Sequence, residues 1–588
     1  MSQRKFLGFV QEHPGSSPRR LHVDEDDRRK THKLVLGSPG SGKSKFLEWS
    51  GRDDILNGQG FGLVDIHGSL YQSIKHWLSY NYFLDRNVIL LDPSGGEHIL
   101  GFNPFRPKAG VDLDVQVAGM VQALLRVWGA ENTNETPTLD RVLRLVFTAM
   151  VIKSIPLHEI FHLINFDERQ VREDVISSFS EPVVRSAWEQ LQAVQTRGQW
   201  RDEVLSTQNR LFRLAYSPTI KRFMGVVDER YNINPLEIMN EGKILLVNLK
   251  ESTQLTEDNA KAFAALLLND FFKSAIMFRD RDELGHDPRP FFMYVDEWQN
   301  IVTPDIKKIL AQARKFGLLL TLANQDLSQI ADAFGENFVN TLLTCCQIKV
   351  CFGGLNRNDA KRMVEEMLVK QLDLDETKNE LASTKFWPVY ARDTVRTYSR
   401  STSQTTGRSQ STAFSRTDGN GTSIHYTWTP DGWITSPGPT DSSENSSSVE
   451  TEGFTEGMSE SESIGEGESV ADIPILMPEP FEEVTSRTSY TLEEQIWRTS
   501  DCFMEQYQRH CFIKLPGQKT VAMLVPVVED PFVYDHVEEE YERDIAKLNA
   551  ANEPAAIDAL LAEQPSLFLT SENPAREPEE VSDENFCE

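Results

Sequence analysis

Leu34-Val35-Leu36-Gly37-Ser38-Pro39-Gly40-Ser41-Gly42-Lys43-Ser44 is the stretch that decides the fold. Three apolar residues read as a short buried strand, and residues 45–50 read as the start of a helix. Between them lies the spacing of a phosphate-binding loop. Glycines at 37, 40 and 42 let backbone N–H groups turn inward around phosphate oxygens. The helix that follows points its positive end at the same anion. Lys43 is placed to reach the β- and γ-phosphates, and the Ser44 hydroxyl to take a Mg²⁺ position. Gly37, Ser38, Pro39, Gly40, Ser41, Gly42, Lys43 and Ser44 together are the expected nucleotide cradle, with ATP as substrate.

Hydrolysis needs acids opposite that cradle. Phe291-Phe292-Met293-Tyr294-Val295-Asp296-Glu297 is an apolar strand ending in two of them. Asp296 is expected to hold magnesium through a bound water, and Glu297 to polarise the attacking water. Asp65 and Asp92 also end apolar runs. A supporting role at the magnesium and an ordinary turn-forming role are open to them alike. His67 reads as a loop histidine.

Further apolar runs at 62–66, 88–91, 244–248, 318–322 and 348–352 are separated by helical stretches. Strand–helix alternation implies an α/β domain, a mostly parallel sheet with helices on both faces. Seven segments follow. Residues 1–30 are polar, either loose or covering a neighbouring surface. Residues 31–104 carry the phosphate loop and the first part of the core. Residues 105–241 read as an all-helical insertion, and residues 242–399 as the second part of the core, with the acidic pair. Residues 400–471 are dense in Ser, Thr, Gly and Glu. They lack the apolar surface to offset chain entropy, and a disordered insertion is expected there. Residues 472–529 read as a helix and a hairpin around Pro516-Gly517-Gln518 that complete the core. Residues 530–588 read as an acidic tail with one short helix near 555–562.

The chain has 588 residues and a formal net charge of -29. That balance argues against a generally basic protein that coats nucleic acid, while leaving room for a local basic channel. The six cysteines show no paired spacing, which fits buried thiols in a reducing compartment. No apolar run approaches the roughly 20 residues a bilayer crossing needs. The start has no signal-peptide pattern. A cytoplasmic protein without direct membrane insertion is expected.

Several phrases in order resemble the conjugative coupling proteins and HerA/FtsK-type ATPases, the TraG/TraD group. They are Gly62-Leu63-Val64-Asp65-Ile66-His67-Gly68, Asn103-Pro104-Phe105, Gly242-Lys243-Ile244-Leu245-Leu246-Val247-Asn248-Leu249, Tyr294-Val295-Asp296-Glu297-Trp298-Gln299-Asn300, Ala313-Arg314-Lys315-Phe316-Gly317 and Ala323-Asn324-Gln325. The resemblance implies a RecA-like P-loop core and a hexameric ring that moves DNA with ATP and Mg²⁺ at sites between subunits. It implies that Gln325 senses the γ-phosphate and that Arg314 is donated across the subunit boundary. Physically, a guanidinium neutralises charge on a transferred phosphoryl group. An exposed cation beside Lys307, Lys308 and Lys315 is the plainer reading of Arg314. The helical insertion matches the one that coupling proteins carry near the DNA entrance. There Lys221, Arg222, Arg210 and Arg213 are phosphate contacts or solvated charges alike. Residues 1–30 depart from the family pattern: neither the opening transmembrane helices of coupling proteins nor the small β-barrel of HerA-like motors is expected from them.

The expected function is therefore an ATP-driven ring motor translocating DNA, an ATPase with DNA and copies of itself as partners. A relaxase, a secretion component or an effector protein is a further candidate partner. The competing function is a regulatory ATPase of a defence or mobile-element system, one that switches a partner effector without moving DNA. A soluble P-loop kinase is a third, but no second-substrate pocket is evident in the sequence.

Overall fold

The computed structural model describes residues 4–10, 17–83, 87–130, 136–177, 179, 182–301, 306–373, 375–397, 406–413, 424–429, 432–437, 453–460 and 469–564. Seven parallel strands carry the site: β3 (Lys33–Leu36), β4 (Gly60–Asp65), β5 (Val88–Leu91), β6 (Ile244–Asn248), β7 (Phe291–Asp296), β8 (Leu318–Asn324) and β9 (Ile348–Phe352). They lie in the order β9-β3-β8-β7-β4-β6-β5. Every pair in that row is parallel.

Their sequences are almost continuously apolar because both faces are covered. Leu34 and Leu36 enter one core cluster, and Val35 enters the other. The first cluster joins the sheet to the helical insertion and to the long helix Glu257–Phe278. The second joins it to the helices Lys43–Leu56 and Ser69–Tyr80. The order β3-β8-β7 sets the glycine-rich loop and the acidic strand end two strands apart at one end of the sheet.

The parallel row continues antiparallel. The C-terminal hairpin, His510–Lys514 and Val521–Leu524, pairs with β9, with Cys511 opposite Phe352. Here the expected hairpin and the observed one coincide. The preceding helix, Leu492–Met504, starts with a complete capping box between Thr491 and Glu494.

Residues 1–30 differ from expectation. β1 (Arg4–Val10) and β2 (Arg19–Asp24) extend the sheet beyond the hairpin. The polar look of the segment misleads because Lys5 points inward. Its ammonium donates to Asp54 at 2.6 Å and to the Ser50 carbonyl at 2.7 Å. Arg28 joins the same buried carboxylate at 2.6 Å.

Residues 530–588 differ too. The helices Asp535–Leu548 and Pro554–Glu563 pack on the domain. Tyr541 and Ile545, one helical turn apart, face inward, while Glu538 meets Lys75 at 3.0 Å. Arg222 holds Asp558 through two bonds of 2.8 and 2.7 Å. A run of acids read as a solvated tail is in this part a strap, with its charges matched to Lys75 and Arg222. The rest of the acidic tail, from residue 565, lies outside the described residues.

Much of the Ser-rich stretch 400–471 also lies outside the described residues. On either side of it Thr377–Thr397 pairs antiparallel with Ser469–Ser489. Among the described residues no helix is long and apolar enough to cross a membrane.

Candidate nucleotide site

β3 ends at Leu36, and the chain turns through the cradle into the helix Lys43–Leu56. Gly40 has φ +80° and Gly42 has φ +107°, left-handed values that glycine adopts without steric cost. At Gly42 the space is closed as well: an added Cβ would lie 2.9 Å from the Arg509 amide nitrogen. The cradle is tied down from three directions. The amide of Gly37 donates to the Asn324 carbonyl at 3.3 Å, and that of Ser38 to the Gly353 carbonyl at 3.1 Å. The Arg509 amide donates to the Ser41 carbonyl at 2.8 Å.

Lys43 opens the helix and is buried. Its Nζ lies 3.0 Å from Glu297 Oε1 and 3.3 Å from Asp296 Oδ1. The structure thus brings Lys43, Asp296 and Glu297 to one point at the C-terminal ends of β3 and β7. Burial pushes the Asp296 carboxyl above its ordinary value. Lys43 opposes that shift, while Glu297 and Asp65 add to it. Glu297 has φ +49°, a left-handed backbone that costs a non-glycine residue about 1–2 kcal/mol. Its amide is fixed by the Ala323 carbonyl at 3.0 Å.

Ser44 is exposed on the first turn of the helix. A serine hydroxyl and a carboxylate are hard oxygen donors of the kind Mg²⁺ takes, usually together with substrate phosphates and water. No group of three or more His, Cys, Asp or Glu among the described residues could hold a metal ion. Ser44 and Asp296 fit a magnesium that arrives with its nucleotide.

Asp65 and Asp92 resolve to local structure. Asp65 accepts the amides of His67, Leu70 and Tyr71 at 2.9, 2.8 and 2.9 Å, so it caps the helix Ser69–Tyr80. Asp92 accepts the Ser94 amide at 3.1 Å and the Asn248 amide group at 3.0 Å. Cys346, Cys351 and Cys511 are buried free thiols.

Gln325 follows Asn324 at the end of β8, on the same sheet edge as the acids. Arg314 lies on the helix Ala313–Phe316, before Leu318, the first residue of β8. Its own phosphate cradle touches Asn324 at the other end of that strand, about 20 Å away at ~3.3 Å per residue. The side chain of Arg314 lies outside the described residues.

Sequence reasoning passed over Gln299 and Asn324. Gln299 donates to Glu297 Oε2 at 3.1 Å and to Gln329 Oε1 at 2.8 Å. The Asn324 side-chain amide donates to Gln299 Oε1. Both sit inside phrases already quoted for resemblance, but nothing in their spacing marks them as neighbours of the acids.

Residues 290–424 match the family model described as the TraM recognition site of TraD and TraG. The chain is TraG/TraD-like over this stretch. The matched segment opens just before β7, so it contains the acidic pair, Arg314 and Gln325 but not the phosphate loop. Comparison with curated proteins returns no match. Among solved structures, the chain is similar to the unbound bacterial conjugative coupling protein TrwB at 14% identity, covering 90% of this chain and 95% of that one, TM-score 0.46. It is similar to the plasmid coupling protein TrwB in complex with ADP and Mg²⁺ at 18% identity, covering 62% and 84%, TM-score 0.41. It is similar to VirB4 of Thermoanaerobacter pseudethanolicus at 14% identity, covering 63% and 88%, TM-score 0.41.

Proposed function

We propose that this chain is a Mg²⁺-dependent ATPase that moves DNA as a ring of identical subunits, in the manner of a conjugative coupling protein. The observation that carries the hydrolytic part is the meeting of Lys43 Nζ with Asp296 at 3.3 Å and Glu297 at 3.0 Å, at the mouth of a glycine-rich cradle. On substrate entry Lys43 exchanges its two carboxylates for the β- and γ-phosphate oxygens. Backbone amides of residues 40–44 close on the same phosphates. Glu297, released by Lys43, accepts a hydrogen bond from the attacking water and polarises it. Ser44 and Asp296 would hold the magnesium, which when bound would offset phosphate charge.

A ring is supported by position. Arg314 lies on the helix before β8, at the far end of that strand from its own cradle, and its service to a neighbouring copy follows the coupling-protein resemblance. Gln325 directly follows the other end of that strand, beside the site, and serves as γ-phosphate sensor. DNA as the transported polymer is what the resemblance to coupling proteins implies. The description of the matched segment points to a TraM-type protein as a partner class.

The test is the rate of ATP hydrolysis with and without single- and double-stranded DNA, alongside the mass of the ATP-bound assembly. Stimulation by DNA in an oligomer supports the motor. Hydrolysis indifferent to DNA in a switching monomer or dimer supports the regulatory ATPase instead.

A further inference from the structure

Lys43 pairs with both acids in this structure, so its departure to a triphosphate leaves Glu297 Oε1 without its cation. Oε2 keeps a partner. The Gln299 amide group donates to it at 3.1 Å from a short turn, Trp298–Asn300, immediately after the acid. That turn is anchored by Trp298, which is fully buried against the stacked pair Phe334 and Phe338 at ring distances of 5.6 and 5.9 Å. Gln299 itself is buried and held at both ends of its amide. It donates to Gln329 at 2.8 Å and accepts from Asn324. Asn324 in turn gives its backbone carbonyl to Gly37, the first residue of the cradle, at 3.3 Å. A chain of polar contacts therefore runs from the water-polarising acid to the phosphate loop without passing through Lys43.

We infer that Gln299 is a positioning residue, which keeps the Glu297 carboxylate aimed at the attacking water once Lys43 has turned to the nucleotide. This inference rests on the ATPase reading and adds a residue to it. A buried carboxylate with no fixed partner would rotate away or recapture Lys43, and either motion lowers turnover without touching the phosphate contacts. Asn324 steadies Gln299 and couples its position to that of the loop.

The experiment compares the wild type with Gln299→Ala and the isosteric Gln299→Glu, which has no amide to donate. Three quantities are read: equilibrium binding of a fluorescent ATP analogue with Mg²⁺, the kcat and KM for ATP, and the thermal midpoint. The expected result is a kcat lower by about tenfold to a hundredfold, with KM and analogue affinity within about twofold and little change in midpoint. Retained kcat in both variants overturns the inference. So does a loss of kcat that comes with an equal loss of affinity and of thermal midpoint, because that pattern marks a merely structural residue. Glu297→Gln is measured alongside. If it abolishes turnover while both Gln299 variants remain active, the ATPase reading stands and this inference falls. If the wild type binds no ATP, both fall.

Discussion

Arg509 donates its backbone amide to the carbonyl of Ser41 at 2.8 Å, which joins the phosphate loop to a residue far beyond it in sequence. Arg509 has φ +69°, and its guanidinium folds back onto the Val525 carbonyl at 2.6 Å. The entry to the C-terminal hairpin thus braces the glycine-rich loop. Gly42 is the point of closest approach. Gly42→Ala would bring a Cβ to 2.9 Å from the Arg509 amide nitrogen, at a φ of +107°. The expected outcome is an ATP affinity weakened by about tenfold, since the loop must open to admit the methyl group. Gly40→Ala has open space around its Cβ and carries only the backbone cost of φ +80°. Titration of an ATP analogue on both variants checks the order, and equal losses would remove the Arg509 contact from the account.

Lys43→Ala removes the main cation from the cradle and leaves Asp296 and Glu297 facing each other across the gap. Hydrolysis should fall by at least about a hundredfold. Turnover close to wild type would mean that the glycine-rich turn does not hold phosphate.

Glu297→Gln keeps the size of the side chain but cannot polarise water. Turnover should fall by roughly 10²–10⁴ while ATP still binds. The check is co-purification or filter retention of unhydrolysed ATP. Survival of hydrolysis would assign the base to another residue.

Arg314→Ala tests the ring. Mixed with wild-type subunits, it should poison its neighbours, so activity falls more steeply than the fraction of variant added. An arginine finger is worth about 10³–10⁵ in turnover. A linear loss would place Arg314 outside the neighbouring site.

His32 gives a pH dependence of stability. Its ring is buried, with Nε2 donating to the Ile309 carbonyl at 2.9 Å and Nδ1 accepting the Leu320 amide at 2.9 Å. A neutral ring satisfies both contacts, and burial pulls its pKa from 6.5 down to about 4. The unfolded chain therefore binds a proton that the native state refuses between those values. Stability on this account is full above pH 6.5 and is lost as pH falls toward 4. One pKa unit is worth about 1.4 kcal/mol, so the whole window amounts to roughly 3 kcal/mol. Urea midpoints at pH 7 and pH 4.5 check this, and His32→Gln should flatten the difference.

Much of the site could be read from the chain because its parts are local. A strand, a glycine turn and a lysine are contiguous in 34–44, and Asp296 and Glu297 follow an apolar run directly. The seven parallel strands were legible for a related reason, since burial on both faces leaves unbroken apolar text. What escaped was carried by contacts distant in sequence. Gly353 and Arg509 touch the loop only through folding, and neither has a local signature. β1 was hidden by Lys5, whose charge makes sense only beside Asp54. The strap Asp535–Leu548 was hidden by its own acids, which meet Lys75 and His76. Arg357 is held by Asp501 at 2.6 Å and lies over Trp497, contacts that no local sequence pattern announces.

The antiparallel ladder between Thr377–Thr397 and Ser469–Ser489 leaves and re-enters the nucleotide domain through one doorway, where the Tyr490 amide meets the Glu376 carbonyl at 3.1 Å. Since the two edges of that doorway are already joined, material beyond it can be lengthened, shortened or exchanged at little thermodynamic cost, about 0.6 kcal/mol for each doubling. Evolution is thereby free to rewrite the sequence between the two strands while the sheet behind the doorway stays the same.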